Sequence, residues 1–103
     1  LALALAQRSS VDPKTLVRAA RDHVKSQPSF ALEVALSALH WMARGAGYEL
    51  TCADVCAARD HALAAAASLG VSALASERIA ENVAGNGSSA RWVRQCLGLE
   101  AIN

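Results

Sequence analysis

Residues 29–44 read SFALEVALSALHWMAR, and this stretch decides the fold. On a helix with about 100° between successive residues, its polar side chains fall in one narrow stripe. The members of that polar stripe are Glu33, Ser37, His40 and Arg44. The rest of the circumference is apolar, so other helices must cover it on two or three sides. The sequence therefore predicts that residues 29–44 form the central helix of the domain.

Proline and capping residues predict where the other helices begin and end. Asp12 before Pro13 is typical of a helix start, because aspartate caps free N–H groups and proline fits the first turn. Pro28 is expected to end this helix. Thr51 followed by Asp54 is typical of a capping box. The predicted helices span residues of about 13–26, 29–44, 51–69, 73–84 and 88–98, and no segment has the alternation of a strand.

The composition agrees with one small all-α domain covering residues 1–103. Hydrophobic residues make up 53% and charged residues 18%, which disfavours a disordered chain. Aromatic residues are only 4%, so the core must use leucine, valine and alanine. We expect antiparallel helical hairpins, arranged either as a short α-solenoid-like array or as an irregular bundle of five or six helices.

The first ten residues predict that the chain is the C-terminal part of a longer protein. Leu1–Ala6 alternates leucine and alanine and is too short to span a bilayer. It has neither the basic flank nor the cleavage pattern of a signal peptide. We therefore expect residues 1–10 to be the end of an upstream helix.

An internal similarity leaves the architecture open in one respect. The pentapeptide Ala19–His23 recurs as Ala57–His61, at an offset of 38 residues. This offset falls within the range of helical-hairpin repeats, although two copies are fewer than such arrays need. The similarity is either a degenerate repeat or a coincidence in an alanine-rich chain.

Three cysteines bear on metal binding and on the compartment of the protein. Cys52 and Cys56 are one helical turn apart and would supply half of a zinc site. A complete site needs two more ligands, and the sequence has no second pair of cysteines or histidines at ligand spacing. We therefore favour buried, reduced cysteines in a cytoplasmic protein, and we expect neither a metal nor a cofactor.

Two polar surfaces are candidate functional sites. Glu33, His40 and Arg44 belong to the polar stripe, which is either the floor of a polar groove or a solvated helix edge. The helix at 13–26 carries a basic stripe, which either contacts phosphates or is a solvated face. The basic stripe consists of Lys14, Arg18, Arg21 and Lys25. A net charge of +1 and the lack of interleaved aromatic residues favour the solvated face.

The region from about residue 15 to 98 resembles the C-terminal part of an uncharacterised bacterial family of helical proteins of unknown function. The resemblance is carried by the helix Phe30–Arg44, by the loop Gly45–Thr51 and by the alanine-rich helix that closes at Gly70. Arg91–Gly98 is similar to the family's ending, whereas Ala46 stands where an aromatic residue is usual. The resemblance implies a bacterial cytoplasmic protein with a helical-repeat-like tail and an upstream region, and it assigns no catalytic residues.

These features favour a non-catalytic helical interaction or scaffold module. The expected partner is another region of the same longer polypeptide or a separate protein, and a homo-oligomer is a further alternative. The next alternative is a nucleic-acid-binding accessory module that uses the basic stripe, although the near-neutral charge disfavours nucleic acid. A third is an enzyme with a polar site around His40, which no nucleophile or phosphate-loop motif supports. We expect no association with a membrane.

Overall fold

The computed structural model describes residues 12–47 and 49–100, so the expected upstream helix at 1–10 lies outside the described residues. Five helices and no strand occur in those two ranges, which confirms the all-α prediction. The helices are α1 Pro13–His23, α2 Pro28–Ala43, α3 Cys52–Leu69, α4 Ser72–Asn82 and α5 Ser88–Cys96. None of these five helices has both the length and the apolar character that crossing a bilayer requires.

Helix α2 is the centre of the domain, as its apolar circumference predicts. It packs against α1, α3, α4 and α5. Ten of its sixteen residues are buried, and Ala38 and Leu39 have no exposed surface. In a solenoid each unit contacts only its neighbours along the chain, whereas here one helix contacts each of the four other helices that the structure describes. The described residues therefore form an irregular five-helix bundle.

Local sequence signals set the starts of the helices. The Asp12 carboxylate accepts a hydrogen bond from the backbone N–H of Lys14 at 3.1 Å, which caps α1. The Asp54 carboxylate accepts one from the backbone N–H of Thr51 at 2.8 Å, the reciprocal arm of the predicted capping box. Pro28 differs from the prediction, because it is the first residue of α2. Proline is tolerated there because the N–H of a first-turn residue would have no acceptor within the helix, so its absence costs no hydrogen bond.

Small residues bring α3 close to α2. The buried stripe of α3 consists of Val55, Ala58, Ala62, Ala65 and Ala66, none of which has exposed surface. Four of these five side chains are single methyl groups, so little separates the α3 backbone from the neighbouring helix. Leu69 is expected on the same stripe from its spacing, but it is 38% exposed because α3 ends there, before the left-handed Gly70.

Gly47 permits a close approach between the α2–α3 connection and the start of α1. Its φ is +105°, a conformation that residues with a Cβ rarely adopt. A Cβ at this position would lie 2.8 Å from Leu50 Cδ1 and 3.1 Å from Pro13 Cδ. Any larger residue would push the connection away from α1.

Candidate functional site

The polar stripe of α2 lines a cleft of about 150 Å³ between α2 and α4, which we call the polar cleft. Its lining residues are Glu33, Leu36, Ser37, His40 and Trp41 from α2, and Arg78 and Asn82 from α4. Ser37 is buried, and Glu33 and His40 are half-buried. The sequence pattern finds the α2 wall but misses Arg78 and Asn82, because the period of one helix does not show which residues of another helix face it.

An ion pair joins the two walls of the polar cleft. Arg78 donates two parallel hydrogen bonds to Glu33, from Nη1 to Oε1 at 2.5 Å and from Nη2 to Oε2 at 2.9 Å. These hydrogen bonds raise the pKa of Arg78, against the opposing effect of its partial burial. These hydrogen bonds connect α4 to α2. Because the two charges are opposite, the pair adds no net charge to the cleft.

His40 is an uncharged hydrogen-bonding group in the polar cleft at neutral pH. Partial burial lowers the pKa of its imidazole below the ordinary 6.5, and the positive charge of Arg44 lowers it further. The polar side chain of Asn82 acts in the opposite direction and raises this pKa. The ring stands edge-on to Trp41, with 5.0 Å between the ring centroids. A neutral imidazole can donate one hydrogen bond and accept another.

Arg44 does not line the polar cleft, although the spacing of the polar stripe places it beside His40. It lies just beyond α2, and its Nη1 donates to the carbonyl oxygens of His40 at 3.0 Å and Asn82 at 3.2 Å. A guanidinium suits this place, because the last carbonyls of a helix have no partner within it. Arg44 therefore ties the C-terminal ends of α2 and α4 together.

The arrangement in the polar cleft suits binding of a small polar molecule through hydrogen bonds. Nucleophilic catalysis by a serine requires its hydroxyl to lie within hydrogen-bond reach of a base. Ser37 and His40 lie one turn apart, and the described part of the chain contains no hydrogen bond between them. The Glu33 carboxylate is already occupied by Arg78. Among residues 12–47 and 49–100, no three His, Cys, Asp or Glu side chains gather as metal ligands.

The basic stripe of α1 faces α3 across a groove of about 270 Å³, which we call the basic groove. Its lining residues are Lys14, Val17, Arg18 and Arg21 from α1, and Asp54, Ala57 and His61 from α3. Arg21 forms an exposed ion pair with its neighbour Asp22 at 3.1 Å. Lys14 and Arg18 form no ion pair with any residue that the structure describes. Lys25, the fourth member of the stripe, is exposed in the turn after α1 and lies outside the groove.

A third depression is almost entirely apolar and has no counterpart in the sequence-based prediction. It has a volume of about 140 Å³, and we call it the apolar groove. It is lined by Arg59 and Leu63 of α3, by Ser76, Ile79 and Ala80 of α4, and by Leu97 and Leu99 after α5. Leu99 is 55% exposed. Helical periodicity does not find this groove, because Leu97 and Leu99 follow the last helix.

The backbone that carries Leu99 is fixed by hydrogen bonds. The N–H of Leu99 donates to the Arg94 carbonyl at 2.9 Å and the N–H of Gly98 to the Gln95 carbonyl at 3.1 Å, which together form a Schellman motif. The Arg94 guanidinium donates to the Glu100 carboxylate at 2.7 Å and to two carbonyls of the α4–α5 connection at 2.9 Å. The exposure of Leu99 therefore belongs to a hydrogen-bonded segment and does not arise from a frayed helix end.

Two of the three cysteines, Cys52 and Cys96, contradict the prediction of reduced, buried thiols. Cys52, the first residue of α3, forms a disulfide with Cys96, the last residue of α5, and their Cα atoms are 5.1 Å apart. Cys52 is exposed, and Cys56 is a free, half-buried thiol. The prediction failed because spacing within one helix carries no information about a cysteine 44 residues away.

Comparison with family models, curated proteins and solved structures finds no match to the chain. The resemblance to a bacterial helical family therefore stays a prediction. The function is inferred from the three surfaces of the domain and from its cysteines.

Proposed function

We propose that the protein is a non-catalytic helical interaction module whose partner-binding surface is the apolar groove. The observation that supports this most is Leu99, a large apolar side chain that is 55% exposed on a hydrogen-bonded backbone. Contiguous apolar surface is typical of sites that bind other proteins, and apart from Arg59 and Ser76 the residues that line this groove with Leu99 are apolar. The partner is a protein, either another region of a longer polypeptide or a separate chain, that inserts an apolar side chain into the groove.

The central helix α2 does not supply this surface, although its apolar circumference requires other helices to cover it. Helix α2 is covered by the four other described helices, and its Leu36, Leu39 and Met42 side chains are buried. Among residues 12–47 and 49–100, the large apolar side chains left exposed are Leu69, Leu74 and Leu99. Of these three, Leu99 alone lines one of the grooves described above, so we assign the binding surface to its groove.

The size of the apolar groove suits a single anchoring side chain rather than an extended contact. Interfaces often depend on a few such anchors, which dominate the free energy of binding. Covering the exposed part of Leu99 would contribute about 1 kcal/mol, roughly half of the value for burying a whole leucine side chain. We therefore expect Leu99→Ala to weaken partner binding by about fivefold to tenfold.

Site-specific photo-crosslinking in the cells that make the protein tests this proposal. A benzophenone amino acid replaces Leu99 or, as a matched control, Leu74, which is 52% exposed and lines none of the grooves described above. We expect position 99 to give a discrete crosslink, either an adduct with another protein or an internal crosslink to another region of a longer polypeptide, and position 74 to give none. A protein identified in an adduct, once purified, should bind the wild type more tightly than Leu99→Ala. The absence of both kinds of crosslink at position 99, or an equal yield at position 74, would contradict the proposal.

A second candidate function is nucleic-acid binding through the basic groove. It is supported by Lys14 and Arg18, which line a groove and have no ion-pair partner in the described parts of the chain. Three cations on phosphates would give a slope of about −3 in log affinity against log salt for duplex DNA. Charge reversal of Arg18 and Arg21 should abolish this binding, whereas Lys25→Glu, outside the groove, should reduce it less. No binding to DNA or RNA at low salt would remove this candidate.

We also propose a cytoplasmic location, which is supported by the resemblance to a bacterial family and no longer by the cysteines, because Cys52 and Cys96 form a disulfide. Disulfides in that compartment are usually transient and either catalytic or redox-sensing. The Cys52–Cys96 bond would then be made and broken in the cell. Acid quenching of intact cells followed by alkylation measures the oxidised fraction, which should change with the redox conditions. A bond that stays fully oxidised under reducing growth conditions would contradict the cytoplasmic location.

A further inference from the structure

All three cysteines of the chain lie together where the start of α3 meets the end of α5. Cys52 and Cys96 are joined in the disulfide. Cys56, one turn further along α3, has its Sγ 3.6 Å from the Cys96 carbonyl oxygen, to which it donates. Thiol–disulfide exchange requires a free thiol that can reach a sulfur of an existing disulfide. Cys56 contacts the same residue that carries one of the two bonded sulfurs.

We propose that this cluster is a thiol–disulfide exchange site, in which Cys56 displaces Cys52 from Cys96. After Cys56 loses its proton to solvent, its thiolate attacks the Sγ of Cys96. A Cys56–Cys96 bond forms, the Cys52–Cys96 bond breaks, and the electron pair of the broken bond leaves on Cys52 as a thiolate. One disulfide and one free sulfur exist before and after the step, so it needs neither an oxidant nor a reductant.

The position of Cys52 makes it a suitable leaving group. It is the first residue of α3, where free N–H groups and the positive end of the helix dipole stabilise a thiolate. The Asp54 carboxylate in the same turn opposes this, but it already accepts hydrogen bonds from the N–H and the hydroxyl of Thr51, at 2.8 and 3.2 Å. A more stable leaving thiolate speeds exchange.

Exchange moves the free thiol from a half-buried to an exposed position. Cys56 is partly covered, whereas Cys52 is exposed at the surface. Exposed thiolates at helix N-termini are the reactive ones. The released Cys52 is therefore a modification site for low-molecular-weight disulfides. Its attack on such a disulfide forms a mixed disulfide on Cys52 and releases one small thiolate.

Disulfide mapping of the unreduced protein tests this proposal. Cleavage before Asp54 and after Arg94 puts the three cysteines on different peptides. After incubation at about pH 8, where thiolates form readily, acid quenching and alkylation should show both Cys52–Cys96 and Cys56–Cys96 pairs. Oxidised glutathione should then add to Cys52. In the matched Cys56→Ser variant, the Cys56–Cys96 pair and all labelling of Cys52 should be lost.

Two outcomes would overturn the proposal. In the first, alkylation and glutathione label only Cys56 of the wild type, and Cys52 stays paired with Cys96. The second uses Cys52→Ser, whose folding is checked by circular dichroism. This variant should form the Cys56–Cys96 disulfide in air. If it folds but keeps two free thiols under conditions that reoxidise the reduced wild type, Cys56 does not reach Cys96.

Discussion

The Glu33–Arg78 pair predicts a measurable coupling between α2 and α4. The perturbation is a double-mutant cycle of Glu33→Gln, Arg78→Met and the combined variant. The side chains are 29% and 35% exposed, respectively. An exposed pair contributes about 0.2–1 kcal/mol, and a hydrogen bond to a charged group in a protein about 1.5–3 kcal/mol. A bidentate pair at this intermediate exposure should therefore show a coupling free energy of about 1–1.5 kcal/mol.

Urea denaturation of the four proteins at low salt, followed by circular dichroism, measures this coupling. The combined variant should lose less stability than the sum of the two single variants, and salt near 1 M should reduce the coupling because half-exposed charges are screened. The control is the Arg59–Asp60 pair, whose members are adjacent in one helix and 34% and 63% exposed. Its coupling should be below about 0.5 kcal/mol. A Glu33–Arg78 coupling no larger than that of the control would refute the reasoning.

Three further predictions concern the core, the histidine and the disulfide. Leu39→Ala removes a fully buried side chain and should cost about 3 kcal/mol, whereas Leu74→Ala, at a 52% exposed position, should cost less than about 1 kcal/mol. Equal losses in thermal denaturation would contradict the assignment of the core. Because the folded-state pKa of His40 is lowered, its contribution to stability is fully present above the ordinary pKa of 6.5 and is lost as pH falls from there through the lower folded-state pKa. Between about pH 7.5 and about pH 5, His40→Gln should lose less stability than the wild type. An identical loss in the two proteins would show that protonation of His40 does not cause it. Reducing Cys52–Cys96, which are 44 residues apart, should lower the free energy of unfolding by about 4 kcal/mol. An unchanged urea midpoint in the presence of a phosphine reductant would show that the bond does not stabilise the fold.

The core of the domain could be predicted from residues 29–44 because hydrophobic periodicity is a local property. A helix that is apolar on nearly all sides must be surrounded, and in the described part of the chain α2 is surrounded by α1, α3, α4 and α5. Capping by Asp12 and Asp54 could be predicted for the same reason, since each involves residues within three positions. The predicted end of α1 was less accurate, because the helix ends at His23 and the prediction placed its end at about residue 26.

The candidate surfaces were predictable only in part, because each combines residues from separate helices. Glu33 and His40 follow from the period of α2, but Arg78 faces them only through the packing of α4. The disulfide depends on bringing Cys96 to the start of α3, and no local pattern contains that information. Such juxtapositions follow from tertiary packing, so they required the structure.

Native-state hydrogen exchange of the backbone amides tests most directly the claim that the domain is built around α2. Amides buried in the centre of a domain exchange only when the whole domain unfolds, whereas peripheral helices also open locally. We predict that the amides of Val34–Met42 are the slowest to exchange, with protection equal to the global free energy of unfolding. Amides of α2 that exchange as fast as those of α5 would contradict the account.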